Sequence, residues 1–247
     1  VTGDRVGAPC HGPLQQLLLE AKQLTIVTIL KPFRFIPGIE IEAKALEILA
    51  AMERTEHYAP EWPLDASRVA EFLGLDVVWD RIEPDGWGAI AARILPLEGL
   101  IEINECIPQQ RRGGFGESTI AHEIGHWVLH IDRQAIQRYC RLGEKGIHIQ
   151  VDPLLCRNAK DLQGIEWQAQ YFAGCLLMPQ YILAKLKQGR NLSKWHHLYQ
   201  MAEELGVTIS NLTHRLQDLG WIRIGTPTRG SQSDRSRQIY LPQAAPG

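Results

Sequence analysis

The sequence predicts an α+β fold: a small antiparallel sheet packed on an HExxH helix and a second helix able to supply a ligand, followed by a helix-turn-helix-like C-terminal module. Three observations predict it. Residues 118–130, STIAHEIGHWVLH, have helical apolar spacing and hold three of the nine histidines. Short β-rich runs precede them, and a second helical run, GIEWQAQYFAGCLLMP, follows.

Composition excludes several classes. With 247 residues, 45% hydrophobic and 22% charged, the chain can bury a real core. A net charge of −2 gives no global attraction to nucleic acid or an anionic membrane. The five cysteines are odd in number and never form CxxC, which fits a reducing cytosol better than a disulfide framework. The apolar run LTIVTIL is too short to span a membrane and the first residues lack a signal peptide, so a cytoplasmic, non-membrane protein is expected.

Residues 1–38 read as an N-terminal extension, partly disordered. From Gly38, IEIEAKALEILAAMERT carries helical periodicity. In PLDASRVAEFLGLDVVWDRI, Asp65 or Ser67 can cap a short helix, Gly74 stops it and DVVW begins a strand. Two strands, near 88–95 and 99–104, turn at PLEG. Glycines 113, 114 and 116 make a loop before the histidine segment, and residues 133–162 read as polar and irregular. A helix spans roughly 163–187. Residues 39–188 thus form the main domain. Residues 189–247 form a helix-turn-helix-like module and tail, with WIRIG and RQIYL as a possible wing hairpin and a Ser/Gly/Arg-rich loop between them.

On the histidine helix, Ile120, Ile124, Trp127, Val128 and Ile131 cluster on one face, and His122, His126 and His130 lie opposite. His122 and His126 stand one turn apart, the spacing that lets two imidazoles grip one zinc ion. Glu123 falls beside them without being forced onto the metal, where a general base must sit. His130 is about 12 Å along the axis from His122, too far to share the ion on a continuous helix, so it reads as a residue supporting the ligands, a cap or packing. The plainer alternative is a surface helix with solvated histidines. In the second helix Glu166, Ala169, Gln170, Ala173 and Leu177 share a face; Ala169 and Ala173 permit close approach. Glu166 can then complete a His₂Glu site with an open fourth position, or it can be a solvated first-turn residue favoured by the helix dipole. Gln170 can orient a ligating histidine or be an ordinary polar position.

RRGGFGESTIAHEIGHWVLH with IEWQAQYFAGCLLMP resembles the ImmA/IrrE metallopeptidases over about residues 40–220. That family pairs an HExxH helix with a later E-x-x-A-x-x-F-A helix, here Glu166, Ala169, Phe172 and Ala173. The resemblance implies a zinc-dependent, gluzincin-like endopeptidase, with Mn²⁺ an alternative metal in the cell. It implies His122, His126 and Glu166 as ligands, Glu123 as base, and limited cleavage of a helix-turn-helix repressor under stress or in a mobile element. Two departures stand out. The 40-residue gap from His126 to Glu166 points to an insertion in 133–162, and Gln170 stands where many members have Asp or Asn.

His148, Tyr139 and Tyr171 are candidate oxyanion donors among which sequence does not choose. The strand around WGAIAARIL is expected to pair with an extended substrate. If the C-terminal module binds DNA, Ser210, Asn211, His214 and Arg215 would face it, with Arg223, Arg229, Arg235 and Arg237 near phosphates; if not, it packs on the peptidase or grips substrate. The rival class is a non-catalytic, metal-sensing transcription regulator that would not need Glu123. A third reading is closed structural or latent zinc, with Cys140 or Cys156 in the fourth position.

Overall fold

The computed structural model describes residues 29–86, 88–108, 114–147, 149, 151–156, 163–225 and 238–241. Helix α1 (Gly38–Glu53) buries Ile41, Ala45, Leu49 and Met52, a three-to-four spacing that lines one face. Helix α2 (Ala66–Phe72) starts at Asp65, whose carboxylate accepts from the backbone N–H groups of Ser67 and Arg68. Of the two candidate caps, Asp65 is therefore the one used. Gly74, at φ +78°, ends the turn that follows.

Four strands form the main sheet in the order β1-β3-β2-β4. Strands β2 (Ala92–Leu95) and β3 (Leu100–Asn104) make the antiparallel hairpin expected around PLEG. Strand β1 (Asp76–Asp80) joins β3 in parallel, so the sheet is mixed. The 11-residue connection from Asp80 to Ala92 lets the chain pass β3 before returning. Asn104 pins that connection by donating to the carbonyls of Ile82 (2.9 Å) and Ile90 (2.8 Å).

Residues 133–162 are not simply irregular. Helix α4 (Arg133–Glu144) is capped by Asp132, which accepts from the N–H groups of Gln134 and Ala135. Strand β4 (Leu154–Cys156) pairs antiparallel with β2. The expectation that the WGAIAARIL strand offers a free edge to substrate is therefore corrected: over residues 92–94, β2 is paired on both sides, by β3 and by β4.

Helix α3 (Phe115–Leu129) is the centre of the core. Ile120, Ala121, Ile124 and Leu129 are buried, and so are His122, Glu123 and His126 on the other side. This excludes the surface-helix alternative. The histidine side is covered by α5 (Gln163–Leu177). At the contact, a Cβ on Gly125 would stand 2.9 Å from the carbonyl oxygen of Ala169 and 3.0 Å from its Cα. The helices approach this closely because the residues at the crossing are glycine and alanine. The expected 163–187 helix breaks at Pro179, with α6 (Gln180–Leu186) beyond it.

Helices α7 (Trp195–Glu204) and α8 (Ile209–Asp218) join the same core through Leu198, Met201, Leu212 and Leu216. The WIRIG and RQIYL segments pair as β5 (Arg223–Gly225) and β6 (Gln238–Tyr240), antiparallel. Before α1, residues 29–37 run along the end of α3 with Ile29 and Ile36 buried, so this part of the expected extension belongs to the packed body.

Gly125→Val should act as a wedge between α3 and α5. The neighbouring atoms are backbone, so the helices must separate, with a loss of about 1–3 kcal/mol typical of overpacking. Gly143→Ala, where an added Cβ meets nothing within 4 Å, should be neutral or slightly stabilising. Urea denaturation of both variants checks this.

Candidate metal centre

Three side chains from two helices converge. The Nε2 atoms of His122 and His126 are 3.0 Å apart. Glu166 places one carboxylate oxygen 3.1 Å from His122 Nε2 and the other 3.3 Å from His126 Nε2. Ligands bound to one ion at about 2.0–2.1 Å in a tetrahedron are about 3.3 Å from each other. These separations fit one tetrahedral metal ion, and the donor set of two imidazoles and one carboxylate suits zinc. The structure brings all three ligand candidates together.

Local structure explains the convergence. His122 and His126 stand one turn apart near the Gly125 crossing, and Glu166 lies in the first turn of α5, one turn before Ala169. Glu123 is 0% exposed and lies close enough for its charge to act on His122. Burial opposes a charged His122, but hydrogen bonding to the Glu166 carboxylate, with the charge of Glu123 and hydrogen bonding by Gln170, outweighs it and raises the imidazole's pKa. For Glu166, burial pushes upward, but the neighbouring His122 and His126 imidazoles outweigh it and hold the carboxyl down at about 2. When His122 is protonated, it and the Glu166 carboxylate stand as an ion pair.

Of the remaining candidates, Gln170 and His130 lie against this centre. Gln170 hydrogen-bonds His122, as a ligand-orienting residue would. His130 ends α3, with Nδ1 3.0 Å from His126 Nδ1 and Nε2 2.9 Å from Gln168 Oε1. Gln168 was not singled out in the sequence; its partners lie 38 and 134 positions away, so no local pattern announces it. Tyr171 turns to α1, where its hydroxyl would be 2.9 Å from a Cβ on Gly38, and it lies 5.8 Å from the Arg215 guanidinium. Tyr139 is on α4, half-buried against the core. His148 lies outside the described residues. Cys140 is exposed and is not part of the ligand cluster, and the side chain of Cys156 lies outside what is described.

Of the α8 residues expected to read DNA, Arg215 and Asn211 are committed to contacts within the body. Arg215 is buried, donates to the Met178 carbonyl and pairs with Glu42 of α1. Asn211 donates to Ser118 at the start of α3. The placement of Arg215 at a DNA surface is therefore corrected. Ser210 and His214 are exposed on a cleft of about 330 Å³ that Gln170 and Trp167 also line. Arg223 is exposed on β5, while Arg229, Arg235 and Arg237 lie outside the described residues.

A mixed α+β body with a buried HExxH helix and a carboxylate from a second helix defines a metallopeptidase-type fold. The family model described as an IrrE N-terminal-like domain (Peptidase_M78) matches residues 78–217, more than half of the chain. The chain belongs to that family, as the resemblance in its motifs implied. No curated protein matches the sequence. A solved structure described as a Mycobacterium tuberculosis transcriptional regulator is similar at 17% identity and a TM-score of 0.44, over 74% of this chain and 47% of that one. The chain therefore spans about half the length of that protein. Among the described residues, no helix is long and apolar enough to cross a membrane.

The raised pKa of His122 sets the sign of a pH effect. A metal must displace the His122 proton, and Glu166 at about 2 stays ionised throughout the working range. Zinc affinity should fall as pH drops, beginning above the ordinary histidine value of 6.5 and losing about tenfold or more per unit below it. Chelator competition between pH 5 and 8 measures this; a flat profile contradicts it.

Proposed function

We propose that the chain is a zinc-dependent endopeptidase making limited, site-specific cuts in a protein substrate, with a helix-turn-helix repressor as the expected target. The observation that carries this reading is the convergence of His122, His126 and Glu166, with a buried glutamate, Glu123, directly after the first ligand. Three ligands leave a fourth position open, as catalytic zinc sites do and closed structural sites do not.

Bound zinc would supply Lewis acidity and lower the pKa of a water at that open position. Glu123 would take the proton from the attacking water and return it to the leaving amine. His122, His126 and Glu166 would hold the ion, with Gln170 orienting His122. Beside this centre, the cleft shared by α5 and α8 offers Gln170, Asn211, His214 and Trp167 to a polypeptide. The inward commitment of Arg215 and Asn211 favours this over a regulator that reads DNA through α8.

The test pairs wild type with Glu123→Gln against the repressor encoded nearest to this protein's gene, with Zn²⁺ or Mn²⁺ present and intact mass as readout. Wild type should release two complementary fragments. The variant should keep one metal ion per chain while losing at least about 10²-fold in rate, since positioned acid–base catalysis is worth about 10²–10⁴. Equal cleavage by both removes Glu123 from the mechanism. Repressor left intact by wild type, with a gel shift on the promoter, favours the regulator.

A further inference from the structure

We propose that Gln168 and the backbone at Arg34 are positioning elements of the metal centre, holding His126 in the one tautomer that can bind a metal through Nε2. This rests on the reading of His122, His126 and Glu166 as ligands.

The direction of each hydrogen bond follows from the groups involved. The Arg34 carbonyl can only accept, so the Gln168 amide must present Nε2 to it, at 3.0 Å. The amide oxygen then faces His130 Nε2 at 2.9 Å. That oxygen can only accept, so His130 carries its proton on Nε2, and a neutral imidazole so protonated has a lone pair on Nδ1. His130 Nδ1 faces His126 Nδ1 at 3.0 Å, so His126 donates from Nδ1. His126 is left with its lone pair on Nε2, the atom aimed at His122 Nε2 and Glu166. Turning over the Gln168 amide would reverse the order and put a proton on the ligand atom. Gln168 is 1% exposed and His130 7%, so water has little access to replace either link.

The anchor of this chain is independently fixed. The Lys31 N–H donates to the His130 carbonyl at 2.8 Å, and the Asp132 N–H donates to the Ile29 carbonyl at 2.7 Å. The Lys31 ammonium lies against the carbonyls of Val128 and Leu129, where the dipole of α3 favours a cation. Phe35 stacks on Trp167 at 6.0 Å between ring centres. Residues 29–36 thus strap the end of α3 to the start of α5 and bring the Arg34 carbonyl to Gln168.

The test uses the full chain and zinc alone. Zinc affinity is measured by chelator competition in wild type, Gln168→Met and Gln168→Glu. Long-range ¹H–¹⁵N spectra of the zinc-loaded proteins report the ring tautomers, and circular dichroism of the metal-free forms checks folding. Wild type should show His130 protonated at Nε2 and His126 at Nδ1. Gln168→Met, similar in size but unable to accept, should bind zinc about 10- to 100-fold more weakly. Gln168→Glu keeps the acceptor for His130 but gives up the donor to the Arg34 carbonyl, so it should recover part of that loss. Wild-type affinity and tautomers in Gln168→Met overturn the proposal, as does equal loss in Gln168→Glu. His130 protonated at Nδ1 in wild type overturns it without any variant. If wild type retains no zinc, the ligand assignment fails and this proposal with it; if wild type binds and Gln168→Met is unchanged, only this proposal fails.

Discussion

The close crossing of α3 and α5 is the constraint on which the rest depends. A glycine on one helix meets the backbone of an alanine on the other, with no room for a Cβ between them. His122 and His126 flank that glycine, and Glu166 stands one turn before the alanine. Packing therefore brings together ligands that are 40 residues apart in sequence. The crossing also gathers two buried imidazoles, the buried Glu123 carboxylate and the half-buried Glu166, a costly arrangement unless the charges are matched. Glu166 and His122 match each other with a shared proton, and a divalent cation would do the same with more charge.

Both ends of the described chain close around this cluster. The strap at residues 29–36 meets the C-terminal end of α3, while α8 meets its N-terminal end through Asn211 and Ser118. Arg215 ties α8 to α1 and to the end of α5. Helix α8 thus forms one wall of the cleft it shares with α5. The resemblance of the C-terminal pair in sequence to a helix-turn-helix comes from two short helices joined at Gly206, a geometry that serves packing as readily as DNA.

What could be read in the sequence was local and periodic. HExxH fixes two ligands by helix pitch alone, and the Glu166 face with its small residues announces a close helix partner. The hairpin at PLEG carries its own turn signal. Other features escaped for physical reasons. Helix α4 does carry a period, with Ala135, Ile136, Tyr139 and Cys140 opposite a polar face and Asp132 as a cap, but its apolar stripe is narrow within a strongly polar segment. Strand β4 is three residues long and gains its identity only by pairing with β2. Gln168 lies two positions from Glu166, off its helical face, and its role depends on contacts from distant parts of the chain. The strap looked like a continuation of an unreadable start because its anchors are single contacts to distant parts of the chain, backbone and side chain alike, which make no periodic pattern.

The most direct measurement of the central claim is zinc-edge X-ray absorption on the full chain loaded with one equivalent of Zn²⁺. Two imidazoles, one carboxylate and one water should give only nitrogen and oxygen neighbours at about 2.0–2.2 Å. A sulfur neighbour at about 2.3 Å would put a cysteine in the fourth position and close the site. A third imidazole would place His130 on the metal and contradict the assignment of Glu166.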